Sequence, residues 1–75
     1  MTSLNELDAA RVIRALARFG WKEERSSGSH RILKKEGDPH SLSVPFHRGR
    51  PLKQGLMRKL LKLAGISEAE FLSEY

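Results

Sequence analysis

The sequence lacks cysteine and long hydrophobic runs, and these absences exclude several classes of protein. None of the 75 residues is Cys, so neither a disulfide framework nor a thiolate zinc site can hold the chain together. The apolar runs are only a few residues long, far short of the ~20 that a membrane-spanning helix needs. The first residues resemble no signal peptide, because they contain neither a basic leader nor a hydrophobic stretch. We therefore expect a cytoplasmic protein with no membrane association.

Aromatic residues are also few, at 7% of a short chain. A chain of 75 residues forms one domain at most, and we expect that single domain to span residues 1–75. A domain this small buries only about 60% of the surface that its unfolded chain exposes, which leaves no room for a large substrate cleft. Most of the aromatic side chains are needed for the core.

Positive charge is concentrated in the middle of the chain. Fourteen Lys and Arg outnumber nine Asp and Glu, which gives a formal net charge of +5. All fourteen lie between positions 11 and 62, where only four acidic residues occur, so this block alone carries +10. Such a block favours a polyanionic partner, most simply nucleic acid, because Lys and Arg that neutralise phosphates release counterions. The alternative is a basic surface that serves only solubility.

The first periodic segment predicts a helix from about Asp8 to Phe19, with Asp8 as the N-cap. Gly20 is expected to end it, because glycine adopts the left-handed conformation common after a helix C-terminus. Three arginines lie on one polar stripe of this helix: Arg11, Arg14 and Arg18. That stripe could contact phosphate or could simply face solvent.

Three short extended runs follow the helix, and each predicts a strand. They are Trp21–Arg25, His30–Lys35 and Leu42–Phe46, separated by turns at Ser26–Ser29 and Glu36–Pro39. Two tight turns imply an antiparallel meander.

The rest of the chain predicts two helices. The first runs from about Leu52 or Lys53 to Ala64, and Gly65 ends it. Ser67 and Glu70 have the spacing of a capping box, which predicts a short helix at the C-terminus.

These elements together define an α+β fold class, with one three-stranded antiparallel sheet covered by helices on one face. One question stays open at this stage. Ile32 and Leu33 of the second strand point to opposite faces of the sheet, so alternation alone does not decide which face packs against the helices.

Three histidines are the side chains whose ordinary pKa, about 6.5, suits proton transfer near neutral pH: His30, His40 and His47. His30 follows a Gly-Ser turn and precedes three cations, Arg31, Lys34 and Lys35. This context suits an anionic substrate held by the cations while the imidazole moves a proton, although a plain hairpin histidine is the alternative. Asp38 and His40 have no third ligand at suitable spacing, so we expect neither a metal nor a cofactor.

The second helix offers a candidate phosphate site at its N-terminus. Free backbone N–H groups of its first turn lie near Arg50 and Lys53 in sequence, and such groups attract anions. A helix-turn-helix for DNA formed by the last two helices is less favoured, because Glu68 and Glu70 would repel phosphates.

Four short motifs occur in order along the chain: Gly20-Trp21, Ser27-Gly28-Ser29-His30, Val44-Pro45-Phe46-His47, and Leu60 to Ser67 followed by Glu70-Phe71. In this order and at these spacings, from about Asp8 to Leu72, the sequence resembles the HicA (YcfA-like) mRNA interferase toxins. The resemblance implies a fold like that of double-stranded-RNA-binding domains, α-β-β-β-α, here followed by a short C-terminal helix.

The resemblance also implies an activity, a site and a partner. It makes His30 the catalytic residue of an endoribonuclease that cleaves mRNA without a metal, through attack by the RNA 2′-OH. The turn with the cations that follow it, the basic loop and the start of the second helix, rather than the resemblance, give the residues expected to bind RNA: Ser29, Arg31, Lys34, Lys35, His47, Arg48, Arg50 and Lys53. A HicB-type antitoxin is expected to neutralise the toxin in a hetero-oligomer. The alternative is an RNA-binding module of the same fold that has no catalytic activity.

Overall fold

The computed structural model describes residues 3–47 and 49–75. Its elements, in chain order, are α1 (Ala9–Ala17), β1 (Lys22–Ser27), β2 (His30–Lys34), β3 (Ser41–Pro45), α2 (Gln54–Ala64) and α3 (Glu68–Glu74). This order and the antiparallel sheet confirm the predicted α+β class. Arg48, one of the residues predicted to bind RNA, lies outside the described residues.

Helix α1 begins as the sequence predicts and ends slightly earlier. The Asp8 carboxylate accepts a hydrogen bond from the Arg11 backbone N–H at 3.0 Å, which satisfies a donor that has no partner within the helix. The helix ends at Ala17, and Gly20 turns the chain toward β1 with a φ of +95°. A side chain at Gly20 would be strained at this angle.

The three strands form one sheet in the order β1-β2-β3, with both pairs antiparallel. Strand β1 continues to Ser27, because Ser27 still pairs with His30 and only Gly28 and Ser29 form the turn. The predicted four-residue turn is therefore too long by two residues. The ladder between β1 and β2 is irregular between Glu23 and Arg25, as at a β-bulge.

One face of the sheet is covered and the other is open. Leu33 of β2 and its neighbour Leu42 of β3 are both fully buried, and Val44 shares their face. Directly opposed residues of an antiparallel pair point to the same side, so this is the face against which the helices pack. Ile32 points to the other side, lies opposite Ser43, and is only half-buried. This answers the question that alternation left open. The side that carries Ile32 is hereafter the open face.

Helices α1 and α2 both pack against the covered face of β3, and α3 contacts both of these helices. Leu7 and Leu52 close the core at one end through an isolated antiparallel bridge, with backbone hydrogen bonds of 3.1 and 2.7 Å. Both side chains are buried. Leu4 and Leu7, before α1, therefore belong to the core, and the bridge to Leu52 has no counterpart in the sequence patterns.

Helix α2 ends, and helix α3 begins, where the sequence predicts. Gly65 follows α2 with a φ of +73°, and Ser67 and Glu70 form the capping box of α3. Hydrogen bonds with Ser67 lower the pKa of Glu70. The side chain of Ser67 has the larger effect and its backbone N–H the smaller one. Among the described helices, none is both long and apolar enough to cross a bilayer.

Trp21 is the largest side chain that is completely buried. It lies immediately before β1 rather than in the strand, because the Trp21 N–H donates to the Leu16 carbonyl of α1 at 3.1 Å. The indole Nε1–H has no hydrogen-bond acceptor among the described residues. The indole therefore contributes to stability through its apolar contacts rather than through its polar atom.

Candidate functional site

His30, the predicted catalytic residue, is the first residue of β2 and directly follows the hairpin turn. Gly28 opens this turn with a φ of +60°, a conformation that glycine adopts without steric cost. His30 lies opposite Ser27 and Pro45, so the three side chains share the open face. The histidine is exposed, and a ligand can reach its imidazole without any rearrangement of the core.

The end of the sheet that carries the hairpin turn continues into the loop after β3. The Phe46 N–H donates to the Ser29 carbonyl at 2.6 Å, which ties this loop to the turn. Two surface pockets with volumes of about 400 and 290 Å³ open beside the loop. His47 and Arg50 line both pockets, and Lys53 lines the smaller one. Four of the predicted RNA-binding residues therefore lie around this end of the sheet: Ser29 in the turn, and His47, Arg50 and Lys53 at the pockets.

The N-terminus of α2 contributes to the smaller pocket. Lys53 is the N-cap of the helix, and its side chain makes no capping hydrogen bond. The backbone N–H groups of the first turn have no acceptor within the helix. A phosphate in the smaller pocket could accept hydrogen bonds from these groups and an ionic contact from Lys53 or Arg50. The phosphate site proposed from the sequence stays a prediction.

Arg31, although adjacent to His30, points to the other side of the sheet. It lies opposite Val44, and its guanidinium group is 3.3 Å from the Glu23 carboxylate. The same group stacks over the Phe46 ring at 4.6 Å from the ring centroid. A phosphate would have to compete with Glu23 for this arginine, so Arg31 is poorly placed to assist His30.

Lys34 and Lys35 lie at the opposite end of the sheet from His30. Lys34 follows four residues later on the same strand, which corresponds to about 13 Å at ~3.3 Å per residue. Its ammonium group donates to the His40 carbonyl at 3.2 Å. Lys35 follows the strand, and its side chain passes beside Gly20, where an added Cβ would lie 3.3 Å from the lysine Cε. The predicted site residues thus divide into two groups at opposite ends of the sheet.

Several side chains at these pockets were not found by sequence reasoning. Glu6 and Asp8 line the larger pocket together with the loop after β3. Their approach to that loop depends on the bridge between Leu7 and Leu52, for which the sequence carries no local signal. Glu6 also adopts a φ of +54°, which is uncommon for a residue other than glycine.

The arginine stripe of α1 is exposed, and two of its three side chains also contact the C-terminal end of the chain. Arg11 donates to the Tyr75 carbonyl at 2.8 Å and lies 4.1 Å above the centroid of the Tyr75 ring. Arg18 is 3.5 Å from the Glu74 carboxylate. Of the three, only Arg14 has no ion-pair or hydrogen-bond partner among the described side chains. The stripe is therefore mainly an attachment point for α3.

Asp38 and His40 are hydrogen-bonded to each other. The Asp38 carboxylate accepts from the His40 backbone N–H and contacts the His40 Nδ1, both at 2.8 Å. Both hydrogen bonds lower the pKa of Asp38, and the bond from the His40 backbone N–H has the larger effect. Within residues 3–47 and 49–75, no group of three His, Asp or Glu side chains could hold a metal ion.

The geometry defines a small, basic α+β protein whose helices cover one face of a three-stranded sheet and leave an exposed histidine on the other. A family model described as the HicA toxin of bacterial toxin-antitoxin systems matches residues 9–66. The match covers more than half of the chain, and the chain belongs to this family. A search of curated proteins found no match. The chain is therefore the toxin of a toxin-antitoxin pair, and its partner is an antitoxin.

Proposed function

We propose that this toxin is an endoribonuclease that cleaves mRNA in the cytoplasm, with His30 as its general base and no metal. The observation that carries the proposal is the position of His30: exposed on the open face, at the end of the sheet where His47, Arg50 and Lys53 line two pockets. Membership of the HicA family supports the same function.

The reaction that this arrangement supports begins at the RNA 2′-OH. His30 accepts the proton of that hydroxyl, and the oxygen attacks the adjacent phosphorus. A bond forms between the 2′-oxygen and phosphorus while the bond from phosphorus to the 5′-oxygen breaks, and the 5′-oxygen takes a proton from solvent. The products carry a 2′,3′-cyclic phosphate and a free 5′-OH. A DNA substrate cannot react in this way, because it lacks the nucleophile.

The neighbouring cations have the second role in the mechanism. A single well-placed general base contributes about 10²–10⁴-fold to the rate, so stabilisation of the negative charge that develops on the phosphate must supply more. Arg50 and Lys53, with the free N–H groups of the first turn of α2, are the groups best placed for this task. Ser29 and His47 would position the RNA chain at the turn, and we assign Arg31 a smaller share because Glu23 holds it.

Incubation of the purified protein with single-stranded RNA in the presence of a chelator tests the proposal. We expect cleavage by the unmodified protein, a cyclic phosphate on the product, and no cleavage when the RNA carries a 2′-deoxy group at the scissile position. Equal cleavage by the His30→Ala variant would contradict the assignment of the base. RNA binding without any cleavage would favour the non-catalytic RNA-binding module.

We further propose that the antitoxin is of the HicB type and inhibits by covering His30 and the basic residues around it. Such a protein should present carboxylates to the toxin, and it should stabilise a small fold by binding only the folded state. Raised salt should then weaken the complex. Binding that does not change between low and high salt would contradict this electrostatic account.

A further inference from the structure

A third surface cleft lies away from the proposed catalytic end of the sheet. It has a volume of about 500 Å³, and the residues that line it are His40, Lys59, Lys62 and Leu63. No role for His40, Lys59 or Lys62 follows from the proposed mechanism. The polar side chains in its wall are all basic.

The two lysines extend from one side of α2 and have no acidic partner among the described residues. Lys59 and Lys62 are three residues apart in the helix, so their side chains are neighbours on its surface. Both are exposed. Arg58, next to Lys59 in the chain, is instead 3.3 Å from the Glu68 carboxylate of α3. The charges of Lys59 and Lys62 thus remain available to a ligand, whereas the charge of Arg58 is largely compensated.

His40 is held in a fixed position at the other wall of the cleft. Its Nδ1 contacts the Asp38 carboxylate at 2.8 Å, which orients the ring and leaves Nε2 without a partner among the described residues. Nε2 donates to a phosphate when the ring is protonated, because the proton of the neutral ring lies on Nδ1. The Lys34 ammonium group donates to the His40 carbonyl at 3.2 Å, which brings a further positive charge beside the cleft. The Asp38 carboxylate is already engaged by the backbone N–H and the ring of His40.

The cleft lies at the opposite end of the sheet from His30. His30 pairs with Pro45 at the C-terminal end of β3, whereas Lys34 pairs with Ser41 at its N-terminal end, directly after His40. The two ends are separated by about 13 Å along the strands. Lys59 and Lys62 lie on α2, which packs against the covered face, so an RNA strand that also reaches His30 passes round the end of the sheet along a path longer than this separation. Binding sites of roughly 4–16 nucleotides are usual for proteins that hold single strands.

We infer that His40, Lys59 and Lys62 form a second phosphate-binding subsite, which holds the RNA chain several nucleotides away from the scissile bond. The inference rests on the proposed function, because it places a second part of the same substrate. It also gives a role to Lys34, whose ammonium group adjoins this subsite and not the catalytic end.

The cations of the cleft are what a phosphate requires, because phosphate contacts are made by cations and N–H donors. Lys59 and Lys62 supply two positive charges that have no acidic partner among the described residues. Leu63, 42% exposed, and the carbon atoms of the other lining side chains make most of the cleft surface apolar. Apolar area of this kind also suits a protein segment, so the test measures antitoxin binding beside RNA binding.

Binding of a 2′-O-methyl RNA oligomer tests the inference separately from cleavage, since this RNA lacks the nucleophile. We compare the unmodified protein with Lys59→Ala, Lys62→Ala and the double variant by fluorescence anisotropy at several salt concentrations. Arg14→Ala is the matched control, because it removes one positive charge from an exposed position of α1. Alanine favours helix, so all of these variants should fold.

Each lysine variant should weaken RNA binding by about two- to fivefold, and the control should not. The slope of log K against log salt should become shallower by about 0.7 for each phosphate contact that is lost. Cleavage of a dinucleotide, which is too short to reach the cleft, should proceed at the same rate in all variants.

Three results would overturn the inference. The first is unchanged RNA binding in the double variant, and the second is an equal loss in Arg14→Ala, which would mean that only net charge matters. The third is weakened binding of the antitoxin with unchanged binding of RNA, which would assign the cleft to the protein partner. RNA that binds as expected but is never cut would contradict the proposed catalysis and support the second subsite.

Discussion

The two faces of the sheet are built from the same strands, yet they have opposite characters. On the covered face Leu33, Leu42 and Val44 are completely buried. On the open face His30 is exposed, and Ile32, two residues later on the same strand, is only half-buried. Because side chains alternate along a strand, adjacent residues belong to different environments.

Stability and the proposed catalysis are therefore separated by the alternation of side chains along the strands rather than by distance. A substitution on the covered face should change the free energy of unfolding. A substitution of the exposed His30 on the open face should change activity and leave that free energy nearly unaltered.

The largest effect is expected for His30→Ala on the open face. Removal of the general base should lower the rate of RNA cleavage by about 10²–10⁴-fold. The free energy of unfolding should hardly change, because the side chain is exposed and contributes little to the core. Cleavage assays and urea denaturation followed by circular dichroism measure the two effects. Ser43→Ala, on the same face, is the control and should retain full activity.

Leu33→Ala should produce the opposite pattern. Truncation of a fully buried leucine leaves a cavity and should lower the free energy of unfolding by about 2–5 kcal/mol. Ile32→Ala, one residue away on the open face, should cost clearly less, since Ile32 is only half-buried. Urea denaturation of both variants measures the difference. Equal destabilisation would mean that the open face also supports the fold.

Ser67→Ala should have a smaller effect, and on stability alone. The substitution removes the side-chain half of the capping box of α3 and should cost about 0.5–2 kcal/mol. It should also bring the pKa of Glu70 back toward its ordinary value, because Ser67 is the group that lowers it. Thermal denaturation and carboxyl NMR titration test the two expectations. RNA cleavage at a temperature where the variant is folded should be unaffected.

The smallest effect is a pH dependence that involves Asp38. Its pKa is lowered in the folded state by the hydrogen bonds to His40, so ionised Asp38 favours folding. That contribution is fully present above the unfolded pKa of about 3.9 and is lost as pH falls through the lower folded value. Carboxyl NMR should show Asp38 titrating below about 3.9. In His40→Ala the midpoint should rise only in part, because the backbone N–H of residue 40 still donates to the Asp38 carboxylate. An unchanged midpoint would mean that the ring contact does not lower this pKa.

Much of the fold could be predicted from sequence because its signals are local. The cap at Asp8, the turn at Gly28, the stop at Gly65 and the capping box at Ser67 each depend on a few adjacent residues, and the structure has all four. The covered face could not be predicted, because Ile32 and Leu33 present equivalent apolar side chains to the two sides. Only packing against the helices distinguishes them.

The candidate site was less predictable, because most of its contacts are made between residues that are distant in sequence. The exposure of His30 beside a glycine turn is local information, whereas the partners of the cations are not. Nothing near Arg31 in sequence indicates that Glu23 and Phe46 hold it, since both contacts depend on the register of the sheet. The separation of Lys34 from the catalytic end likewise follows from strand length, and the grouping of His40 with Lys59 depends on tertiary packing.

The burial of Trp21 has a practical consequence. It is the only tryptophan of the chain, and no part of it reaches solvent. Its fluorescence should therefore be emitted at short wavelength in the folded protein and shift to longer wavelength when the core opens. Because the indole lies beneath the helices and away from the open face, RNA bound to that face should leave its emission unchanged. The chain thus contains an intrinsic optical reporter that distinguishes unfolding from ligand binding without a label.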